Sequence, residues 1–391
     1  MKTAVVIGAG LSGLASSIFL KRIAHFDKIY VLEKRLCHSR ENFVLLSSLG
    51  TQRLKQLGIY EEWIKQRHTK QVHPHFYQNI CIRGNINGLV EFWKQSGKLP
   101  KDGPSDVAHL KCSQAIPTLH QNTTFQDVLD CQDNGKGIEM VRIKDLEMAM
   151  AKIAKSLNVE LIYGADVIYD VSSYGISSVH VNRIASIQKP DVVVICEGAK
   201  RSVSKDVLDL KEIRASYRTK HILCQVDKYF DSTVYLANGV TDSDFPDAQF
   251  NHLVCPNVND QDSSFIFIEL PAIEDQSDEL IESIVTRQIN QVTELHHLPK
   301  PKKILWKSKP FYSQESYLPK PWFGSNTLII GDAARAGSYG SGTGFNLALV
   351  NDISALGNFV SGEKNISDSG QTIAAASKFF HELNLSRFYH I

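Results

Sequence analysis

Hydrophobic and polar positions at the start of the chain follow strand, helix and strand periodicities in turn. Residues 4–7 form a short, largely β-branched apolar run, which is typical of a buried parallel strand. Helix-compatible residues fill 14–23, and a second apolar run covers 29–32. The pattern therefore predicts a strand, a helix and a second strand.

The same periodicities recur later in the chain. Leu146, Met150 and Ile153 mark one face of a predicted helix. The periodicity is lost between residues 68 and 133, where a loop is predicted over 98–105. Further strands are predicted at 79–82, 89–93, 159–163, 191–196, 221–226, 252–255, 264–270 and 327–330, and further helices around 54–57, over 278–295, from about 344 and over 367–385.

Three glycines stand where the first strand meets the first helix. Gly8, Gly10 and Gly13 have the spacing G-x-G-x-x-G, which allows a tight turn, close approach of a pyrophosphate and close packing of the helix on the sheet. Glu33 follows the second strand, where a carboxylate accepts hydrogen bonds from a ribose diol. This context favours a dinucleotide site over a coincidental glycine turn by roughly ten to one. Because an acid there repels a 2′-phosphate, FAD or NAD is expected.

A second glycine-rich motif follows the strand at 327–330. Gly331-Asp332 ends that strand, and an aspartate there can hydrogen-bond a ligand hydroxyl. Gly342, Thr343 and Gly344 begin a helix, whose dipole stabilises negative charge such as that of a reduced flavin. A plain glycine-rich connection is the alternative, weighted at roughly one in ten given the first motif.

Composition narrows the classes of function. The chain of 391 residues is 43% hydrophobic and 22% charged, with a net charge of +1 and no block of like charge, which argues against nucleic acid as the main ligand. Seven scattered cysteines without a C-x-x-C pair favour reduced thiols in the cytoplasm and no metal site. The uncharged run 3–20 belongs to the dinucleotide motif, so no transmembrane segment is expected.

These motifs resemble the FAD-dependent aromatic hydroxylases, the group A flavoprotein monooxygenases with the p-hydroxybenzoate hydroxylase fold. The resemblance rests on GAGLSG at 8–13, the segment 140–167, and GDAA-x7-GTGFN at 331–346. It implies that Asp332 binds the ribityl chain of FAD and that Gly342 and Gly344 start the flavin-facing helix. It also implies that Arg142 lies near the flavin nucleotide and that the backbone near Val167 contacts adenine.

Within this family, the MICAL monooxygenase domain is the most similar branch. The stretch VLEKR-x3-SREN at 31–42 is similar to its E-K-R…S-R-x-N sequence. The likeness implies that Arg40 and Asn42 face the flavin and that Lys34 and Arg35, next to Glu33, belong to the nucleotide site. Without the resemblance, loop arginines are usually only surface salt-bridge partners.

The sequence also departs from the family pattern. Glu197-Gly198 stands in place of a D-G motif that contacts FAD and NADPH. Arg335, Ser338 and Tyr339 stand where the family has a histidine and paired prolines. Arg40, Arg335 and Tyr339 are therefore the candidate catalytic residues near the reacting face of the flavin.

The resemblance implies an FAD-dependent monooxygenase that uses NADPH or NADH as transient electron donor and O2 through a flavin C4a-hydroperoxide. The substrate is left open between an aromatic small molecule and a protein methionine. An FAD-dependent oxidase or reductase on the same fold, or a flavin-binding interaction protein without turnover, are the alternatives. The oligomeric state is left open as well.

The expected fold is α/β with interleaved domains. A Rossmann-like FAD-binding domain is predicted from residues 1–67, 136–204 and 321–365. A mostly β substrate domain is predicted from 68–135 and 205–320, and a C-terminal helical segment from 366–391.

Overall fold

The structure is a computed structural model, and its strands are numbered in chain order. It describes residues 1–40, 43–46, 48–68, 76–77, 79–84, 109–110, 138–182, 185–216, 218–230, 233–256, 262–270, 277–337 and 343–389. The strands are β1 (Thr3–Ile7), β2 (Lys28–Glu33), β3 (Phe43–Leu46), β4 (Phe76–Tyr77), β5 (Asn79–Gly84), β6 (His109–Leu110), β7 (Ile138–Arg142), β8 (Glu160–Tyr163), β9 (Val167–Ser172), β10 (Gly175–Val181), β11 (Ala185–Gln188), β12 (Val192–Ile195), β13 (Ile213–Arg214), β14 (Thr219–Val226), β15 (Thr233–Asp242), β16 (Phe245–Pro256), β17 (Ser264–Leu270), β18 (Ile304–Lys307), β19 (Phe311–Ser313), β20 (Ser316–Tyr317), β21 (Trp322–Phe323), β22 (Thr327–Ile329) and β23 (Arg335–Ala336).

The helices are numbered in the same way. They are α1 (Leu11–Arg22), α2 (Ser48–Gln56), α3 (Tyr60–His68), α4 (Ile143–Ser156), α5 (Asp278–Leu295), α6 (Thr343–Leu347), α7 (Ile353–Val360) and α8 (Ile366–Tyr389). A π-helical turn, Ala348–Asp352, joins α6 to α7, another forms Val203–Val207, and a 3-10 turn forms Gly331–Ala333.

A parallel sheet organises the N-terminal glycine motif. Among the described residues, six strands form this sheet in the order β21-β22-β12-β1-β2-β8, and only β21 runs antiparallel to its neighbour. Every residue of β12 is buried, as expected for a parallel strand covered on both faces. Because β1, β2, β12 and β22 run in the same direction, their carboxyl ends lie at one edge. The residues at or just after the ends of these strands, Gly8, Glu33, Cys196 and Ile330, therefore lie at that edge, together with the loops that follow them.

A second, largely antiparallel sheet has a core of its own. Within the described ranges, this sheet has eight strands. Seven lie in the order β18-β14-β17-β16-β15-β5-β6, and the eighth, β19, pairs with β14. Helix α5 packs on one face, where Ile284 and Val285 join a buried cluster with Ile222 and Ile268. Strand β18, in which Leu305 and Trp306 are exposed, lies at an edge of this sheet.

The predicted fold class is confirmed. A parallel α/β sheet and a mostly β sheet have separate buried clusters, and α8 ends the described chain. Helix α5 and strand β17 begin and end where the sequence predicts them, whereas β16 is longer than its predicted range. The strand predicted over 89–93 and the loop over 98–105 lie outside the described residues, and the domain boundaries stay a prediction. In the described part of the chain, no helix has the length and apolar character needed to cross a membrane.

Candidate functional site

The N-terminal glycine turn has the geometry that its spacing predicts. Gly8 has a φ of +104°, which a side chain would strain, and its N–H donates to Leu32 O over 2.7 Å. A Cβ added to Gly13 would lie 1.9 Å from Gly8 O. Helix α1 therefore lies against the end of β1 only because residue 13 has no side chain. Gly10 is the N-cap residue of α1, so the free amides of the first helical turn lie beside it.

The acid at the end of β2 is tied to this turn. Glu33 is buried, and its Oε2 accepts the Ala9 N–H over 2.7 Å. Its Oε1 accepts the Arg35 backbone N–H over 2.8 Å and Arg35 Nε–H over 3.0 Å. Burial raises the pKa of Glu33, but the hydrogen bonds from Arg35 and Ala9 outweigh it and hold that pKa below its usual value. The carboxylate is therefore an ionised acceptor, and a ribose hydroxyl that donated to it would replace an Arg35 N–H.

A second carboxylate beneath the turn was missed by the sequence analysis. Glu147 of α4 is fully buried, and its Oε2 lies 3.1 Å from His38 Nδ1. His38 Nε2 lies 2.9 Å from the Tyr163 hydroxyl. Glu147 Oε1 has no hydrogen-bond partner among the described residues, although Arg35 and Arg40 guanidinium nitrogens lie 3.8 and 3.6 Å from it. The sequence signal for this site is an acid on the apolar face of a helix.

The arginines after β2 converge on the glycine turn. A Cβ added to Gly10 would lie 2.9 Å from an Arg40 guanidinium nitrogen and 3.7 Å from Glu147 Oε1. Arg40 is partly exposed, and its carbonyl accepts the Lys144 N–H over 3.1 Å, which ties the loop to the start of α4. Lys34 is exposed. Asn42, predicted to face the flavin, lies outside the described residues.

Arg142 and Val167 are the two predicted cofactor-binding residues from the middle of the sequence, and they lie before and after helix α4. Arg142 ends β7, directly before α4, and its guanidinium donates twice to the Asp145 carboxylate over 2.9 Å. Val167 starts β9, shortly after β8, which pairs with the strand that ends at Glu33. Val167 therefore follows the strand next to the one that ends at Glu33, and the contacts of both residues with FAD stay a prediction.

The C-terminal glycine motif meets the N-terminal one. Gly331 has a φ of +64°, and a Cβ added to it would lie 2.4 Å from Ser12 Oγ of α1. Asp332 is exposed, and a Cβ added to Gly344 would lie 3.2 Å from its Oδ1. The Asp332 carboxylate thus faces the first turn of α6, which begins at Thr343. Ser338, Tyr339 and Gly342 lie outside the described residues, so their predicted roles stay predictions.

Arg335 is engaged in a buried ion pair. Its two terminal nitrogens donate to Asp352 Oδ1 and Oδ2 over 3.0 Å each. Asp352 Oδ2 also accepts the Gly331 N–H over 2.9 Å. Arg335 therefore positions Asp352, and Asp352 in turn fixes the backbone N–H of Gly331, which starts the Asp332 turn. Its predicted contact with substrate would require this pair to open, so a catalytic role stays a prediction.

The Glu197-Gly198 departure from the family motif has a local structural role. Glu197 Oε2 accepts the Val203 N–H over 2.7 Å, and Oε1 accepts the Ser204 N–H over 2.9 Å. Both serine hydroxyls, of Ser202 and Ser204, also donate to this carboxylate. The longer glutamate side chain thus caps the π-helical turn 203–207.

Arg201 is a second residue that the sequence analysis missed. It is fully buried with a φ of +52°, and its Nε donates to Ala333 O over 2.7 Å. Its Nη1 donates to Ser316 Oγ over 2.7 Å and to the Glu212 carboxylate, and its Nη2 donates to Ser316 O over 3.2 Å. Arg201 therefore joins the Asp332 turn to β20. A Lys-Arg pair after a glycine is typical of an exposed turn, so the sequence offered no signal for this burial.

The assembled site fits FAD. The Arg40 guanidinium lies against the backbone of Gly10, Glu33 supplies an ionised acceptor at the end of β2, and the exposed Asp332 supplies another acceptor beside the first turn of α6. Main-chain amides at a helix start and nearby guanidinium groups suit a pyrophosphate.

Comparisons with known proteins agree with this geometry. A family model described as "FAD binding domain" matches residues 1–361. No curated protein matches the sequence. PqsL of Pseudomonas aeruginosa, a probable FAD-dependent monooxygenase, superposes with a TM-score of 0.67 at 15% identity, covering 98% of this chain and 94% of that one.

Two further structures show the same fold. The p-nitrophenol 4-monooxygenase PnpA of Pseudomonas putida has a TM-score of 0.67 at 16% identity, covering 99% of this chain and 89% of that one. A variant of 2-methyl-3-hydroxypyridine-5-carboxylic acid oxygenase has a TM-score of 0.65 at 15% identity, covering 100% of this chain and 91% of that one. At these identities the likeness is one of fold.

Proposed function

The chain belongs to the FAD binding domain family, and from this premise we propose that it is an FAD-dependent monooxygenase that draws electrons from NADPH or NADH. The observation that carries the proposal is the contact between the two glycine motifs. Ser12 and Gly331 come from opposite ends of the sequence and meet at the carboxyl edge of the parallel sheet. Dinucleotide ligands bind at that edge in doubly wound sheets.

The proposal gives each part of the site a role. The backbone amides at Gly10 and the Arg40 guanidinium bind the pyrophosphate. Glu33 accepts hydrogen bonds from the ribose diol, which displaces an Arg35 N–H from the carboxylate. Asp332 accepts from the ribityl chain, and the amides at the start of α6 face the flavin. When bound, FAD would accept hydride from the nicotinamide and activate O2 for transfer of one oxygen atom to substrate.

The protein's own groups position this chemistry and tune it. The Asp352 carboxylate accepts the Gly331 N–H, and Arg201 Nε–H donates to the Ala333 carbonyl. These hydrogen bonds fix the Asp332 turn at both ends. Tyr339 remains the proposed group near the reacting face, and Arg335 would reach that face only if its pair with Asp352 opened. Arg40, which lies at the glycine turn, is assigned to the pyrophosphate. Glu197 is occupied as a helix cap, so contacts to the nicotinamide cofactor are assigned to other residues.

Flavin retention tests the proposed cofactor site. Asp332→Ala should lower the FAD-to-protein ratio of purified protein at least tenfold, because a hydrogen bond to a charged acceptor contributes about 1.5–3 kcal/mol. Asp368→Ala removes an exposed aspartate from the first turn of α8 and should leave the ratio unchanged. An Asp332→Ala protein that kept stoichiometric FAD would contradict the assignment of this site.

Product analysis tests the oxygen-transfer step. A monooxygenase should consume one NADPH for each oxygen atom found in product, with 18O from labelled O2 in that product. Quantitative conversion of O2 to hydrogen peroxide in the presence of every accepted ligand would instead support an oxidase.

A further inference from the structure

The Glu33 carboxylate is fully occupied by hydrogen bonds. Its Oε1 accepts the backbone N–H and the Nε–H of Arg35, over 2.8 and 3.0 Å. Its Oε2 accepts the Ala9 N–H over 2.7 Å and an Nη2–H of Arg35 over 3.1 Å. A carboxylate offers about four lone-pair sites, and these hydrogen bonds fill them. A ligand hydroxyl can therefore donate to Glu33 only when one of the present donors leaves.

The donors to Glu33 differ in how easily they can leave. The N–H groups of Ala9 and Arg35 belong to the main chain, which is fixed by the glycine turn and by the end of β2. The Arg35 guanidinium lies at the end of a long side chain that is 28% exposed, and it donates to both carboxylate oxygens. A ribose diol also has two hydroxyl donors. The diol therefore replaces the guanidinium donor for donor and leaves the main-chain hydrogen bonds intact.

A displaced Arg35 guanidinium requires another anionic partner. The hydrogen bond to Glu33 raises the pKa of Arg35, which shows that this contact stabilises the charged guanidinium. An arginine side chain does not lose its proton in a protein, so it cannot avoid the cost of separation by becoming neutral. Loss of the Glu33 contact thus opposes binding of the diol unless a second carboxylate accepts the guanidinium.

Glu147 supplies that second carboxylate. Its Oε1 is buried 3.8 Å from Arg35 Nη2 and has no hydrogen-bond partner among the described residues. A movement of about 1 Å would bring Nη2 within hydrogen-bond distance of this oxygen. The other oxygen, Oε2, lies 3.1 Å from Nδ1 of His38, and Nε2 of that ring lies 2.9 Å from the Tyr163 hydroxyl. The carboxylate is therefore anchored through Oε2 and offers Oε1 to Arg35.

Arg40 lies close to the same oxygen. Its Nε is 3.6 Å from Glu147 Oε1, and its Nη2 would lie 2.9 Å from a Cβ added to Gly10. The negative charge of Glu147 attracts Arg40 and opposes a pyrophosphate at Gly10. When Arg35 pairs with Oε1, it compensates this charge and replaces the attraction that holds Arg40. The Arg40 guanidinium can then donate to the pyrophosphate.

We propose that Glu147 is a positioning residue of the FAD site. It accepts Arg35 when the ribose diol takes Glu33, and it thereby releases Arg40 to the pyrophosphate. The inference rests on the proposed function and deepens it, because it explains how an occupied Glu33 becomes the acceptor of the ribose. Glu147 itself does not touch FAD in this arrangement and acts through the two arginines.

A double-mutant cycle tests whether Glu147 acts through Arg35. FAD is titrated into the flavin-free full-length protein, and binding is followed by flavin fluorescence. Glu147→Gln keeps the shape of the side chain and should weaken FAD binding at least about tenfold, because the displaced guanidinium then meets a neutral amide. In an Arg35→Met background, the same change should weaken binding by about twofold or less, since no guanidinium has to move. A purely structural role of Glu147 would weaken binding equally in both backgrounds.

An exposed glutamate of the same sheet provides the control. Glu160 is the first residue of β8, and Glu160→Gln should leave FAD affinity unchanged. Unchanged FAD affinity in Glu147→Gln overturns the proposal. Equal weakening by Glu147→Gln in the presence and absence of Arg35 overturns it as well.

A crystal structure of the FAD-loaded wild-type protein tests the exchange without any substitution. Arg35 Nη2 should lie within about 3.2 Å of Glu147 Oε1, and the ribose hydroxyls should donate to Glu33. An Arg35 guanidinium that still donates to both Glu33 oxygens in this complex overturns the proposal, even if the variants bind FAD too weakly for the cycle to be completed.

The same samples separate this proposal from the proposed function. A wild-type protein that binds FAD, with independent effects of the two substitutions, loses the positioning role of Glu147 and keeps the FAD site. A protein that shows the coupling, but whose FAD neither NADPH nor NADH reduces, keeps the positioning role and loses the monooxygenase assignment. A wild-type protein that binds no FAD overturns both proposals.

Discussion

Arg335 lends itself to a test that separates a structural from a catalytic role. Its guanidinium and the Asp352 carboxylate are 7% and 0% exposed and are joined by two hydrogen bonds of 3.0 Å. Removal of one partner of a buried pair costs about 3–5 kcal/mol, because the other charge stays buried and unpaired. In Arg335→Met, Asp352 keeps the Gly331 and Asn351 donors, which places this variant near the lower limit. In Asp352→Leu, both Arg335 and the Gly331 N–H lose their acceptor, so the loss should be larger.

Thermal unfolding followed by circular dichroism measures both losses. Arg335→Met should lower the Tm by about 4 °C, and Asp352→Leu by more. The double variant should recover much of the loss, since an apolar pair of similar volume often replaces a buried ion pair at little cost. Single variants that melt like wild type would refute the energetic argument. A double variant that regains its Tm and FAD content but not its turnover would support the catalytic role predicted for Arg335.

Three further changes follow from the same structure. Gly13→Ala should lower FAD retention at least tenfold, since overpacking of the new Cβ against Gly8 O costs about 1–3 kcal/mol. Gly357→Ala is the control and should leave FAD retention unchanged, because its Cβ would lie 3.2 Å from a Phe19 ring carbon. Glu33→Gln should weaken FAD binding about tenfold in a fluorescence titration, and unchanged affinity would contradict its role as acceptor. Burial lowers the pKa of His252 from 6.5 to about 3. Between these two pH values the unfolded state binds a proton that the folded state does not. The free energy of unfolding therefore falls as the pH drops from about 6.5 toward about 3. His252→Gln should therefore reduce the pH dependence of the urea unfolding free energy between pH 6 and 5 by about 1 kcal/mol, and an unchanged slope would contradict this.

The elements that the sequence predicts well carry their signal locally. β1 and β12 are continuous apolar runs, and α5 has an unbroken amphipathic period after the capping Ser277. The G-x-G-x-x-G turn was predictable for the same reason, because the close approach of Gly13 to Gly8 involves neighbours in sequence. Such features need no knowledge of which distant segments meet.

The groups that the sequence did not predict depend on distant partners. Arg201 is buried because Ala333, Ser316 and Glu212 supply its acceptors. Glu147 lies beneath Gly10 because α4 packs on α1, and nothing within α4 indicates the basic loop above it. His221 and Ser313 are 92 positions apart in the sequence, yet their side chains are in contact. Charge and polarity in one segment do not indicate a partner in another.

The predicted catalytic set shows the same limit. The resemblance placed Arg40 against the flavin, whereas in the structure its guanidinium lies at the glycine turn beside Gly10, and a contact with the flavin stays a prediction. Arg335 was placed near the flavin by its position after Gly331-Asp332, but its contact with Asp352 on the π-helical turn depends on the packing of α6 and α7. Position in a motif identified the segment, and only tertiary packing determined where the side chain points.

An anaerobic visible absorption spectrum, recorded before and after addition of NADPH, tests whether the protein binds a flavin that a reduced nicotinamide can reduce. The purified protein should show an oxidised flavin spectrum, lose its long-wavelength band with NADPH, and recover that band on admission of air. Absence of flavin after reconstitution with FAD would contradict the assignment of both glycine motifs. A bound flavin that NADPH and NADH both leave oxidised, with and without a phenol present, would contradict the monooxygenase.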